Sequence, residues 1–260
     1  MQRLKELCER TTFDRGEFIL DTLSQFGVDT QVQDFSDFKL DSRKRDFKNI
    51  IAKLNSGSSI HKIALAAHYD KTDNGQGALD NGAGVAQLLS VLEKLLSVKS
   101  EVDVTFLFFD GEEDLCVGSK YFVKNLDTEF DAVYNVDFTG VGDGIILGES
   151  SLDNVSDRYV ANDVQLNRRF ENICRSHEIE VYRVNTPLAD NVPFTLRQIP
   201  STVISTLPIQ EAKSWRENGS PWSLPTMKLI NGSGDTFDKV DFRTVEMMKG
   251  LLYDLVCSYR

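Results

Sequence analysis

Of the three histidines in the chain, one, His68, ends an unbroken run of small apolar residues, Ile63-Ala64-Leu65-Ala66-Ala67, and is followed by Tyr69-Asp70. Residues two apart in an extended chain share a side, so Asp70 could orient the imidazole of His68 as a metal ligand. Asp80-Asn81-Gly82 stands directly before a helical pattern that begins near Gly84. Asp80 therefore reads either as an N-cap or as a further ligand. The apolar run 102–109 closes on Asp110-Gly111-Glu112-Glu113, and the run 131–136 is followed by Asp137. One acid after a strand is commonly a solvated turn residue. Several on one edge repel one another and take up protons unless a cation lies among them. One imidazole with several carboxylates suits zinc or a similar divalent ion, and there are carboxylates enough to bridge a pair of ions. His61, beside Lys62, and His177, beside Glu178, read as solvated.

The elements that must carry these groups follow from periodicity. Segments 49–54, 62–67, 102–109 and 131–136 read as strands, several of them continuously apolar. Between the second and third, Val85, Leu88, Leu89, Leu92, Leu95 and Leu96 recur at helical spacing over 84–98. Further helices are expected at 162–177 and 242–259, and residues 1–26 carry a broken amphipathic pattern. Apolar strands separated by helices imply a sheet covered on both faces and mainly parallel at its centre. Such sheets place ligands at the carboxyl ends of their strands. Segment 208–230, with Trp215, Trp222, Pro221 and Pro225 and no clean period, reads as a long loop or lid. Without repeats or linkers, residues 1–260 read as one domain.

The 260 residues carry 29 Lys and Arg against 40 Asp and Glu, a formal net charge of −11, which disfavours nucleic acid and favours amines or metal ions as partners. Cys8, Cys116, Cys174 and Cys257 form no CxxC and read as reduced, mostly buried thiols. The first twenty residues show no signal-peptide core, and no stretch reaches 18 apolar residues, so no membrane partner is expected. A cytoplasmic protein fits, as would a trimmed secreted one. No G-x-G-x-x-G follows the first strand and no P-loop lysine motif occurs, which leaves a nucleotide site without support.

Four blocks together resemble metallopeptidase family 28, which contains co-catalytic dizinc aminopeptidases and, as relatives, glutaminyl cyclases. They are His68-Tyr69-Asp70; Leu79-Asp80-Asn81-Gly82-Ala83-Gly84-Val85-Ala86; Phe108-Phe109-Asp110-Gly111-Glu112-Glu113 with Gly118-Ser119-Lys120-Tyr121-Phe122; and Asn135-Val136-Asp137. Weaker likeness continues through Ala189-Asp190-Asn191-Val192-Pro193-Phe194 and Gly234-Asp235-Thr236. The resemblance implies a three-layer α-β-α fold with a mixed, centrally parallel sheet of the zinc aminopeptidase type. It implies that His68, Asp80 and Asp137 hold one zinc, that Asp80 bridges to a second held by Glu113, that Glu112 is the general base and that Asp70 orients His68. The activity implied is removal of the N-terminal residue of a peptide by a metal-bound water. The alternatives are a glutaminyl-cyclase-like aminoacyltransferase acting on a peptide or small amine-bearing substrate, and a catalytically impaired peptide-binding homologue.

The sequence departs from the family at two histidines. Asn231 stands where the family has its last metal ligand, and Asn191 where a second histidine follows the aspartate. Asn231-Gly232 is a strong turn signal, so Asn231 reads as a turn residue or as a coordinating amide, a weaker ligand than imidazole. One ion or two are then both open, with Asp235, Glu211 or Glu217 as substitutes at a weakened second site. Asp190 reads as a carboxylate for the substrate amine or as a turn acid. Phe194, Trp215 and Trp222 read as lining of a side-chain pocket or as packing.

Overall fold

The computed structural model describes residues 2–38, 42–57, 60–98 and 100–260. The broken pattern of the first 26 residues resolves into two helices, α1 (Gln2–Cys8) and α2 (Thr12–Phe26), the second capped by the Thr11 side chain, which accepts from Asp14 N. Strands β1 (Asp29–Phe38), β2 (Lys44–Leu54) and β3 (Lys62–His68) precede α3 (Ala83–Val98) and β4 (Asp103–Phe109). Then follow α4 (Val117–Lys124), β5 (Ala132–Val136), β6 (Gly144–Asp153), β7 (Arg158–Ala161), α5 (Val164–Ser176) and β8 (Val181–Thr186). The chain ends with α6 (Val192–Leu196), β9 (Ser201–Leu207), α7 (Ile209–Asn218) and α8 (Phe242–Cys257).

All nine strands join one sheet in the order β1-β2-β4-β3-β5-β9-β6-β7, with β8 on β6. The centre, β4-β3-β5-β9, is parallel, and β1, β2 and β6 are antiparallel to their inner neighbours. The expected mixed, centrally parallel sheet is therefore present. Alternation along β3 divides its side chains between the faces: Ile63, Leu65 and Ala67 belong to a large core with α1, α2, α3, α5 and α8, whereas Ala64 and Ala66 belong to a smaller one under α4 and α6. Among the described residues no helix is long and apolar enough to cross a membrane.

Two expectations need correction, and one central strand goes unread in the sequence. Segment 208–230 is not all loop, because α7 occupies its first half. That helix buries only Ala212 and Trp215, too few apolar positions to raise a periodic signal. Phe194 is not among the residues lining the cavity beside Asp80 and Asp137: it is fully buried in the smaller core, its ring 5.9 Å from that of Phe122 and 6.2 Å from that of Phe109. Strand β9, Ser-Thr-Val-Ile-Ser-Thr-Leu, escapes a hydropathy reading because half its residues carry hydroxyls. It is buried throughout, and Ser201, Thr202 and Thr206 use their hydroxyls in hydrogen bonds there; Thr202 Oγ1, for example, donates to Asn167 Oδ1 at 2.6 Å.

Candidate metal centre

Strands β3, β4 and β5 are parallel and nearly in register, with His68 opposite Phe109 and Ala66 opposite Asn135, so their carboxyl ends open on one rim. His68, fully buried, is the last residue of β3, and Asp137 immediately follows β5. Asp80 arrives from elsewhere, on the turn Ala78–Gly82. His68 Nε2 lies 3.0 Å from Asp80 Oδ1 and 3.5 Å from Asp137 Oδ1. One donor atom from each of His68, Asp80 and Asp137 falls within 4.8 Å of the other two. Asp80 is thus no N-cap. Helix α3 starts three residues later, which puts Gly82 at the cap position, and the Asp80 carboxylate faces the imidazole.

The carboxylates around this trio hold backbone. Asp70 Oδ1 stands 3.3 Å from His68 Nδ1, and the same carboxylate accepts from Glu112 N (3.1 Å) and Glu113 N (3.2 Å), joining the ends of β3 and β4. Asp235 grips the turn that carries Asp80: it accepts from Ala78 N at 2.9 Å, Leu79 N at 2.7 Å and Asp80 N at 3.2 Å. Asn81 Nδ2 donates to Val136 O at 2.7 Å, and a Cβ on Gly84 would lie 2.3 Å from Asn81 Oδ1, so only glycine lets α3 begin there. The positioning role of Asp235 escaped sequence reading because no local pattern shows which backbone amides a distant acid will meet.

Other predicted residues are placed less directly. Glu112 lines the same cavity as Asp80 and Asp137. Glu113 stands beside the trio but outside the three-donor group, and its buried Oε1 has no partner. Asp110 turns away to Arg45 (2.7 Å) and Lys48 N (3.1 Å). Asp190 does not line the cavity; its neighbour Ala189 does, while Asp190 accepts from Ser119 Oγ at 2.5 Å behind the wall. Asn191 is buried and donates to Asn162 Oδ1 at 2.8 Å and Ser151 Oγ at 3.1 Å. Asn231 is exposed, adopts a left-handed turn conformation with φ of 57°, and lines the cavity. None of the suggested substitutes reaches the trio: Asp235 is committed to its three amides, Glu211 to Thr226 N and Oγ1, and Glu217 is exposed and lines no part of the cavity.

Electrostatics mark the rim as strained without a cation. Burial, reinforced by the charge of Asp80, pushes Glu113 up to about 9. Glu112 is held well above the carboxylate range by burial and by Asp137, Asp190 and Glu113, with only His68 opposing. Burial also raises Asp80 and lifts Asp190 to about 7. Burial alone would lower His68, but Asp137, Asp70 and Asp80 overcome it and hold the imidazole well above its ordinary value. A buried trio of one imidazole and two carboxylates, with an unpartnered Glu113 oxygen beside it, fits a divalent ion of the zinc type.

Residues 49–256 match the model of peptidase family M28. The chain belongs to that family. Similar sequences include aminopeptidase Y of Saccharomyces cerevisiae, 35% identical over 94 residues (35% of this chain, 18% of that protein). A probable leucine aminopeptidase 2 of Aspergillus oryzae is 28% identical over 204 residues (72% of this chain, 39% of that protein). The chain spans less than half the length of these curated relatives. Among solved structures, it resembles the glutaminyl cyclase of Porphyromonas gingivalis (TM-score 0.78, 18% identity, 100% of this chain and 96% of that one). It resembles equally a leucine aminopeptidase precursor of Bacteroides thetaiotaomicron (TM-score 0.78, 17% identity, 98% and 94%). These likenesses show the M28 fold and no more.

Proposed function

We propose that this M28 chain is a metal-dependent aminopeptidase that releases the N-terminal residue of peptides. The observation that carries the reading is the cavity of about 350 Å³ lined by Asp80, Asp137 and Glu112, with His68 buried behind it and its donor atom at ligand spacing from both aspartates. His68, Asp80 and Asp137 would hold zinc or a similar ion, which when bound supplies Lewis acidity to a carbonyl and to water. Asp70 fixes the His68 ring. Glu112, on the cavity wall, takes the proton of the attacking water and returns it to the leaving amine. Phe138, Leu188, Val203, Trp215, Met227 and Ile230 line the remainder, so a large apolar N-terminal side chain is the substrate expected there.

The test is hydrolysis of a panel of chromogenic amino-acid amides with and without chelator. Glu112→Gln should lower turnover by about 10²–10⁴-fold while metal content stays the same. A fully metallated protein inert across the panel would sink the reading and leave a peptide-binding homologue. A second reading, a glutaminyl-cyclase-like aminoacyltransferase, is favoured by one feature: Glu113 stands outside the three-donor group, so the described residues assemble a site for one ion. A peptide with N-terminal glutamine separates the two by mass spectrometry, since a cyclase expels ammonia and a peptidase frees glutamine.

A further inference from the structure

Arg15, on α2, is fully buried, and among the described residues none of its hydrogen bonds goes to a carboxylate. Its bonds all go to main-chain carbonyls: Nε to Leu7 O (2.9 Å), Nη1 to Tyr69 O (3.1 Å), and Nη2 to Gln76 O (2.5 Å) and Gly77 O (2.9 Å). A guanidinium is costly to bury, and it persists where its donors are used, as they are here. The identity of the acceptors matters. Tyr69 lies between His68 and Asp70, and Gln76 and Gly77 lead into the turn that presents Asp80. One rigid fork therefore spans the two segments that bring the imidazole and the second carboxylate together.

The far side of the second segment is held as firmly. Gln76 N donates to Asp235 O at 2.9 Å, and Gln76 Oε1 accepts from Phe237 N at 2.8 Å. Gly77 adopts φ of 56°, and a Cβ there would stand 3.2 Å from Arg15 Nη1 and 2.7 Å from Lys71 Cβ, so the backbone is shaped to the guanidinium. The charge of Arg15 also reaches Asp235, Asp70 and Asp80, offsetting part of their mutual repulsion. Helix α2 precedes the family match at 49–256, so nothing in that match accounts for this contact.

We propose that Arg15 is a positioning residue of the metal centre, setting the separation of the 68–70 and Ala78–Gly82 segments so that His68, Asp80 and Asp137 meet at ligand spacing. The α1–α2 segment is then part of the site and not an appendage to it. The inference rests on the reading of those three residues as metal ligands, and on no particular reaction.

The test uses the full chain. Zinc affinity is measured by competition with a chromogenic chelator, and ligand geometry by the visible absorption of the cobalt form. Arg15→Lys keeps the charge and loses the fork, and Arg15→Ala loses both. Each should weaken zinc by about 10-fold or more and alter the cobalt spectrum, as removal of outer partners of metal ligands does. In assays at saturating metal, kcat should fall more than KM rises. Millimolar methylguanidinium should restore zinc affinity to Arg15→Ala, a rescue that a lost packing contact would not show and that also covers a weakly folded variant. Folded variants with unchanged zinc affinity and cobalt spectrum would overturn the role of Arg15 alone. A wild-type chain that binds neither zinc nor cobalt would overturn the ligand reading beneath it.

Discussion

If His68, Asp80 and Asp137 hold an ion as proposed, residue 231, where the family resemblance puts a histidine, is the position from which a further ligand is expected. Asn231 lines the cavity and is exposed, and histidine tolerates a left-handed backbone better than most residues, so Asn231→His carries little folding cost. With an imidazole added to the cavity that Asp80 and Asp137 also line, zinc per chain after dialysis should rise above the wild-type value, and zinc affinity should tighten by about 10-fold. Unchanged stoichiometry and affinity would place side chain 231 out of reach of the site. At this scale the sequence was readable where a group terminates an apolar strand, as His68 and Asp137 do, because strand register then fixes the rim they share. It was unreadable where direction mattered more than position. Asp110 and Asp190 sit in the expected blocks, yet one turns to Arg45 and the other to Ser119. Phe194 sits in such a block too, and its ring goes to the core.

Strands and helices with strong periods, β3, β4, β5, α3, α5 and α8, were legible to within a few residues. Strands whose burial is paid for by hydrogen bonds, β9 above all, were not, and neither was α7. The same elements govern access to the cavity. Trp215 of α7 lines it, and the segment that follows, carrying Met227, Lys228, Ile230 and Asn231, forms another wall. Glu211 of α7 fastens that segment by accepting from Thr226 N at 3.0 Å and Thr226 Oγ1 at 2.8 Å. Hydrogen bonds to a charged acceptor are each worth about 2 kcal/mol, which is roughly a 30-fold change in the open fraction of a local equilibrium. Glu211→Ala should therefore expose 219–235 to limited proteolysis well before the rest of the chain and should raise KM more than it lowers kcat. Proteolysis no faster than wild type would mean that other contacts seat the segment.

Across the whole molecule, the buried acids would couple stability to the proposed metal binding. Burial raises Asp235 to about 6, Asp110 and Asp190 to about 7 and Glu113 to about 9, and raises Asp80 and Glu112 as well, whereas the unfolded chain ionises these groups near pH 4. Between those limits these groups hold more protons in the folded chain than in the unfolded one, so their contribution to stability is fullest below about pH 4 and is lost as pH rises through the folded values. His68, held above its ordinary value, acts in the same direction, and the lowered Asp70 acts only toward more acid pH, outside the window. A divalent ion bound by His68, Asp80 and Asp137 reverses the trend, because it compensates the charge that departing protons leave behind and displaces those that remain. The melting temperature of the chelator-treated protein should therefore fall from pH 5.5 to pH 8.5, and saturating zinc should raise it more at pH 8.5 than at pH 5.5. Metal-free melting that stays level or climbs over that range would show that the rim acids are neutralised by the protein itself, and a zinc increment independent of pH would show that the ion binds away from them.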